Sequence, residues 1–349
     1  MTDQPMDAEG GYEADSDRDG LGFEHRSVMT AEVVAAFEPV PSGTVLDATL
    51  GAGGHSEAIL DARPDLDVLG LDRDPDAIRA ARERLARFGE RFVAERLAFG
   101  GLRSAMSDHD IEKLSAAIFD LGVSSPQLDR AERGFSYRHD GPLDMRMDTD
   151  QAWSASDVVN GYDEADLRRI IHRYGDERFA SRIARAIVAA RPIESTAELA
   201  QIITAAVPAA TRRRGGHPAK RTFQAIRIEV NRELDELSDA LDDVIGALAP
   251  GGRLAVLSYH SGEDRIVKDR FRAASGDCDC PIGLPCVCGA VQTVRIVRGV
   301  PRTPSAVERE SNPRARSARL RVVERVDIDR DHGAITTARD TPGGPGGRG

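Results

Sequence analysis

The stretch Thr44-Val45-Leu46-Asp47-Ala48-Thr49-Leu50-Gly51-Ala52-Gly53-Gly54-His55 constrains this chain more than any other. A β-branched and aliphatic run breaks there into three glycines within four residues, and Ser56-Glu57-Ala58-Ile59-Leu60 follows with helix-forming composition. This predicts a strand, a tight turn and a helix, with no Cβ atoms where a ligand would approach the backbone. Downstream, Asp67-Val68-Leu69-Gly70-Leu71-Asp72 is a second apolar run ending in a carboxylate, 21 residues after Gly51. At that distance an acid closing the next strand accepts hydrogen bonds from ribose hydroxyls. The bland alternative is an ordinary βα connection whose Asp only caps the next helix. The turn reads Gly51-x-Gly53-Gly54 rather than G-x-G-x-x-G, which favours S-adenosylmethionine, a ligand without a pyrophosphate, over NAD.

The alternation continues. Val33, Val34 and Phe37 recur at helical spacing behind Thr30, the expected N-cap, so a short helix precedes the first strand. Asp74-Pro75 opens a helix reaching Phe88, with Ile78, Leu85 and Phe88 on one side. Arg91 to Phe99 and Leu114 to Asp120 are the expected third and fourth strands. Strands alternating with helices predict an α/β, doubly wound parallel sheet with its ligand at the carboxyl ends of the strands. Asp47, Asp72, Phe99 and Asp120 fall at or beside those ends.

A chain of 349 residues accommodates two domains, or one domain with a large insertion. No apolar run approaches the roughly 18 residues of a membrane span, and the polar N-terminus lacks the core of a signal peptide. A cytoplasmic protein with no membrane partner is expected. The net charge of −11 argues against a polyanionic partner, but residues 1–24 alone hold eight acids and one Arg. The tails, 1–22 and 327–349, lack the apolar residues to bury a core and are expected to be disordered.

After Asp120 comes Leu121-Gly122-Val123-Ser124-Ser125-Pro126-Gln127, then the irregular segment 134–148, dense in functional side chains. Long irregular loops at the carboxyl edge of a sheet are more often functional than not. Five motifs now stand in order. They are Asp47 to His55, Leu71-Asp72-Arg73-Asp74-Pro75, Asp120 to Asp129, Gly141-Pro142-Leu143-Asp144-Met145-Arg146-Met147-Asp148, and His260-Ser261-Gly262-Glu263-Asp264-Arg265. From about His25 to Val326 the chain resembles the bacterial 16S ribosomal RNA cytosine-N4 methyltransferases, the RsmH or MraW family. Two positions depart from that pattern: Gly262 stands where the family usually carries Leu, and Tyr259 where it usually carries Phe.

The resemblance implies a Rossmann-like class I methyltransferase sheet with an inserted helical subdomain, and S-adenosylmethionine as cofactor. It implies that Gly53, Gly54 and His55 cradle the methionine part, that Asp72 holds the ribose and Phe99 the adenine, and that Asp120 and Gln127 complete the site. Asp120, beside the Ser124-Ser125-Pro126 turn, occupies the place where related amino-methyltransferases hold the amine; Asp144 and His260 are the other catalytic candidates. The implied substrate is the N4 amine of a cytidine in the decoding region of 16S ribosomal RNA, free or within the small ribosomal subunit. Two rival classes use the same features, an NAD-dependent dehydrogenase and a non-catalytic RNA-binding ribosome-assembly factor. The oligomeric state is left open.

The expected division is 23–143 for the first part of the core, 144–221 for the insertion and 222–326 for the second part. Within the insertion, Leu167, Ile170, Ile171 and Tyr174 share a helix face ending at Gly175, an expected C′ residue. A second helix spans Arg178 to Arg191, and Ser195-Thr196-Ala197-Glu198 is a capping box for a third. Arg212, Arg213, Arg214, Lys220 and Arg221, with Arg227 and Arg232, oppose Glu229 alone over 211–232; for an isolated charge run a solvated face is the default. Beside a catalytic edge, the first five become candidate phosphate contacts. Residues 223–248 are expected as one long helix, Arg253 to Tyr259 as a strand, and Gln292 to Arg298 and Ala318 to Val326 as the last strands. Eight Arg between Arg295 and Arg321 make a second basic surface. Cys278, Cys280, Cys286 and Cys288 cluster, but their C-x-C spacing is not that of structural zinc sites, so reduced thiols and no metal are expected.

Overall fold

The structure is a computed structural model and describes residues 27–212, 216–277, 280 and 290–327. The four expected N-terminal strands form as β1 (Gly43–Asp47), β2 (Leu66–Asp72), β3 (Phe92–Arg96) and β4 (Leu114–Asp120). They are followed by β5 (Leu248–Ser258), β6 (Val294–Ile296) and β7 (Arg319–Arg325), and the sheet order is β3-β2-β1-β4-β5-β7-β6. β1 to β5 pair in parallel, whereas β7 runs antiparallel to both β5 and β6, so the expectation of a parallel sheet fails at this edge. Between β6 and β7 the only α-helix is a six-residue one, Ala306–Ser311, too short to serve as the crossover helix of a parallel pair. The direction of winding reverses between β1 and β4, which brings the carboxyl ends carrying Asp47, Asp72 and Asp120 to one crevice.

Both faces of the sheet are covered, which is why β4 is buried from Leu114 to Phe119 without alternation. On one face α1 (Thr30–Phe37) and α2 (Gly54–Ala62) supply Val33, Phe37, Ile59 and Leu60 against Val45, Ile118 and Leu257. On the other, α4 (Leu102–Asp108), α12 (Leu237–Ala247) and α13 (Ser261–Ala274) pack Leu102, Leu241, Val244 and Val267 against Leu46, Leu69, Phe119 and Val256. α3 (Pro75–Leu85) packs Ile78 and Ala81 on Leu50 and Ala94, with Asp74 as its N-cap. α5 (Ser125–Asp129) follows β4, and α14 (Ala306–Ser311) precedes β7. Thr30 is not the cap of α1: Met29, at φ 53, is the N-cap, and the Thr30 hydroxyl instead donates to Ser27 O at 2.7 Å.

A separate helical core is built from α6 (Ala155–Gly161), α7 (Glu164–Gly175), α8 (Ala180–Ala189), α9 (Thr196–Ala206), α10 (Ala209–Arg212) and α11 (Lys220–Asn231). Its apolar residues run from Phe135 through Ile170 and Ile183 to Phe223 and Val230. The one long helix expected over 223–248 is therefore two. Its apolar stripe is continuous in sequence, but Phe223, Ile226 and Val230 enter the helical core while Leu237, Leu241 and Ile245 enter the sheet core. The chain turns between them at Arg232, φ 51. Leu248 already belongs to β5, and Pro250-Gly251-Gly252 sits within that strand where its register with β4 shifts.

Gly175 is the last residue of α7 rather than the left-handed one beyond it, which is Asp176 at φ 49. Glycine is needed there for close approach, because a Cβ would lie 2.6 Å from Arg221 O. At α9 the Ser195 side chain accepts from Glu198 N, but the Glu198 carboxylate reaches back to Glu194 N at 2.9 Å rather than to Ser195. No helix among the described residues is long and apolar enough to cross a membrane.

Candidate active site

The glycine turn is held from below. Leu50 N–H donates to Leu71 O at 2.9 Å and Gly51 N–H to Asp72 Oδ2 at 2.8 Å, while Asp72 Oδ1 accepts from Asp74 N at 2.9 Å. Gly51 and Gly53 adopt φ of 51 and 79, where side chains are strained. A Cβ on Gly51 would meet no protein atom within 4 Å, so the backbone there faces open space. Asp72 spends one lone pair of each oxygen on the backbone and retains the others for hydroxyl donors. Burial pushes its carboxyl up to about 6 against those two N–H donors, and the charges of Asp74 and Asp47 add to the rise.

Beside the turn lies a chain of titratable groups. Asp47, buried at the end of β1, accepts from Ser56 Oγ at 2.6 Å and so pins α2 to the strand; burial still raises its pKa. His55 is buried at the start of α2, and neither ring nitrogen has an aligned hydrogen-bond partner among the described residues. Its Nε2 lies 3.3 Å from Asp120 Oδ2, close enough to pair in charge but not aligned as a hydrogen bond. Burial works against the charged imidazole, yet the carboxylates of Asp120 and Asp47 hold its pKa above the ordinary value. Asp120 accepts the Tyr259 hydroxyl on Oδ1 at 2.6 Å, and its own N–H donates to Thr49 Oγ1 at 2.6 Å.

Phe99 is buried just beyond β3, its ring 5.8 Å from Phe119 edge-on, with the Arg73 guanidinium 5.6 Å above it. Gln127 is buried in α5, where its Oε1 accepts from Ser124 N at 3.0 Å and its Nε2 donates to Asp74 Oδ2 at 2.8 Å. Its side chain therefore closes a cap and braces the Asp72 to Asp74 corner. Asp144 makes a two-pronged ion pair with Arg146, at 3.0 and 2.7 Å, and Arg146 goes on to Gln151 O at 2.7 Å. This pair shapes the loop. His260 is the N-cap of α13: Nδ1 accepts from Gly262 N and Glu263 N, and Nε2 lies 3.0 Å from Glu263 Oε1. Burial works to raise the Glu263 carboxyl, but the His260 contact outweighs it and the pKa falls below the ordinary value.

Three residues, of which only Arg73 lay in a motif read from the sequence, tie this edge to the helical core. Arg133, nearly buried, places Nη2 2.9 Å from Asp74 Oδ2 and donates from the same nitrogen to Arg146 O at 3.0 Å. Asn231, at the end of α11, accepts from Met147 N at 2.8 Å and donates to Met145 O at 2.7 Å. Arg73 donates to Asn231 O at 2.8 Å. Only a motif for the 144–148 loop was visible beforehand; its clamps come from segments 13 residues before and 84 residues after it.

Arg213 and Arg214 lie outside the described residues, and Arg212 ends α10. Lys220 and Arg221 are exposed at the start of α11, Arg221 donating to Asp176 O at 2.8 Å. The preceding His217 stacks on Tyr137 with ring centres 4.6 Å apart, which sets this basic end of α11 against the 134–148 loop. Arg227 is not part of the strip, being locked to Glu233 by bonds of 2.8 and 2.9 Å. Four of the eight Arg of the second basic surface are in ion pairs: Arg295 pairs with Glu324, Arg314 with Asp129, and Arg319 and Arg321 with Asp264. Of the four cysteines only Cys280 is among the described residues, where no group of three or more His, Cys, Asp or Glu is placed to hold a metal.

The family model of the MraW methylase family matches residues 22–326, nearly the whole described chain. The chain belongs to the MraW methylase family. Among its relatives, the "Ribosomal RNA small subunit methyltransferase H" of Geobacter sp. (strain M21) is 49% identical over 309 residues, covering 87% of this chain and 99% of that protein. The protein of the same name from Mycobacterium sp. (strain KMS) is 47% identical over 331 residues, covering 92% of this chain and 87% of its own length. Such a methylase takes its methyl group from S-adenosylmethionine. The residues present fit that group: an open glycine backbone, a half-buried carboxylate with spare acceptors, and a buried imidazole whose nitrogens have no aligned hydrogen bond among the described residues.

Replacing Asp72 by Ala is expected to weaken S-adenosylmethionine binding by about ten- to a hundredfold, the worth of hydrogen bonds to a charged acceptor. The unsubstituted protein is expected to lose affinity below pH 6, where the carboxyl raised to about 6 gains its proton and stops accepting. Calorimetric titration between pH 5 and 8 (about three units around that value) checks both, and an affinity unchanged by the substitution removes Asp72 from the site.

Proposed function

We propose that this protein transfers a methyl group from S-adenosylmethionine to the exocyclic N4 amine of a cytidine in the decoding region of 16S ribosomal RNA. The observation that carries this reading is the Asp120 carboxylate at the end of β4, set beside the open glycine turn and held by Tyr259 and His55. The ribosomal RNA small subunit methyltransferases that share almost half of its sequence support small-subunit ribosomal RNA as the substrate class.

The amine lone pair of cytosine is delocalised into the ring. Methylation needs an acceptor that holds an N–H and favours a pyramidal nitrogen in line with the methyl group. When bound, the cofactor supplies an electrophilic methyl on a sulfonium centre. Asp120 supplies the acceptor, and its negative charge compensates the positive charge that develops on the amine nitrogen. Gly53, Gly54 and His55 bind the methionine part, Asp72 the ribose and Phe99 the adenine; Gln127 acts through Asp74. Asp144 holds the loop through Arg146, and His260 holds the start of α13.

A cytosine amine within a duplex is paired, so the target nucleotide must be unpaired or extruded into the seam between sheet and helical unit. The helical unit, from the 134–148 loop to Asn231, recognises the RNA, and Arg212, Arg213, Arg214, Lys220 and Arg221 hold its phosphates. Replacing Arg212, Arg213 and Arg214 together by Ala is expected to weaken RNA binding and flatten its salt dependence by up to about 0.7 of slope per lost contact. Cofactor affinity stays the same. Filter binding across a salt series checks this, and an unchanged slope moves the RNA elsewhere. Nucleoside mass spectrometry of 16S RNA treated with the enzyme tests the reaction itself: N4-methylcytidine is expected, and methyl on another atom overturns the assignment.

A further inference from the structure

Tyr259 sits where β5 ends and carries a hydroxyl that a phenylalanine would lack. Its position is fixed twice over: its N–H donates to the buried Glu263 at 2.7 Å, and its ring lies 3.6 Å from where a Cβ on Gly122 would stand. The hydroxyl donates to Asp120 Oδ1 at 2.6 Å, while His55 Nε2 faces Oδ2 at 3.3 Å. From the geometry we propose that Tyr259 is a positioning residue of the methyl-transfer step, one that locks the rotation of the Asp120 carboxylate and fills one of its acceptor sites. This rests on the assignment of Asp120 as amine acceptor.

A carboxylate at a strand end turns freely about its Cα–Cβ and Cβ–Cγ bonds unless both oxygens are engaged. Here Oδ1 is tied from the β5 side and Oδ2 is drawn toward α2, so the plane of the group is set before substrate arrives. The remaining lone pairs point the same way in every molecule, and a preset acceptor costs no reorganisation during the reaction. The phenol remains a donor at any working pH, because burial and the Asp120 charge hold its pKa well above the ordinary tyrosine range. The other titratable groups facing this pair are His55 and Asp47 beside Asp120, and Glu263 and Glu308 beside Tyr259.

The test is Tyr259→Phe, which removes one oxygen and keeps the packed ring. Measured on small ribosomal subunits, kcat is expected to fall about tenfold, the worth of one hydrogen bond to a charged group. KM for the RNA and the Kd of S-adenosylmethionine stay within about twofold, since Tyr259 is placed to contact neither. A fall in kcat at unchanged KM and Kd is the split that a merely structural role would not give. An unchanged kcat overturns the proposal. Asp120→Ala, assayed in parallel, separates the two assignments. If it abolishes turnover while Tyr259→Phe does nothing, only the role of Tyr259 fails; if both leave turnover intact, the acceptor assignment fails with it.

Discussion

Replacing Arg133 by Met is expected to destabilise the fold by about 3 kcal/mol, the lower end of the cost of breaking a buried ion pair. The reason is what stays behind. Asp74 is only 2% exposed, and Arg133 is its one cationic partner within ion-pair distance among the described residues. Gln127 and the Asp76 N–H still donate to it, which keeps the loss from reaching the upper end. Arg133 also donates to the carbonyls of Arg146 and Met147, so its loss frees the 144–148 loop together with the corner that follows Asp72. A Lys at the same place restores charge but not the fork that serves a carboxylate and two carbonyls at once, and is expected to recover less than half of the stability. Urea denaturation checks this: the midpoint falls at constant slope. A loss below about 1 kcal/mol, the size of an ordinary exposed pair, shows that Asp74 is hydrated and that the two cores are not coupled through it.

Much of the sheet was legible because each parallel strand repeats one local pattern. β4 was placed to the residue, since an unbroken apolar run closed by Asp120 has one reading in a doubly wound sheet. The cap of α3 was legible for the same local reason, Asp74 followed by Pro75. The helix expected over 223–248 was not, because periodicity reports a continuous apolar stripe without saying which core each part of it enters. Val230 and Leu234 are four residues apart and in phase, yet a left-handed Arg232 between them divides the cores. The antiparallel edge was equally silent, since β7 has the same composition whichever way it runs.

The candidate site divides along the same line. Gly51, Asp72 and Asp120 stand out because glycine turns and strand-end acids are local features. The partners that make them work are distant: Tyr259 is 139 residues from Asp120, and Asn231 is 84 residues from Met147. His260 and Asp144 were legible as unusual residues, but sequence does not say whether a polar side chain faces a ligand or its own backbone. The structure engages His260 in a helix cap and Asp144 in an ion pair with Arg146. Charge runs mislead for the same reason. Of the eight Arg from Arg295 to Arg321, four are paired once Glu324, Asp129 and Asp264 are placed beside them.

Replacing Asp120 by Ala is expected to lower kcat by about a hundred- to a thousandfold, the loss seen when a preorganised group facing developing charge is removed. In the proposed reaction the amine attacks and positive charge appears on its nitrogen, within a crevice bounded by the β1, β2 and β4 ends. The nearest neighbours of Asp120 cannot take over the task. Asp47 is buried and bonded to Ser56, Tyr259 is a donor, and His55, an imidazole, has no negative charge to set against that of the amine. Cofactor binding is expected to suffer less, since Asp72 and the glycine turn remain, so single-turnover transfer at saturating S-adenosylmethionine isolates the chemical step. Asp120→Asn keeps an acceptor oxygen and the shape of the group but loses the charge, and is expected to fall between Ala and the unsubstituted enzyme. An Asn variant as slow as Ala assigns the effect to charge, and one as fast as the parent assigns it to the hydrogen bond alone. An Ala variant within about threefold of the parent, less than one hydrogen bond's worth, places the amine acceptor elsewhere and leaves Asp120 as a partner of His55 and Tyr259.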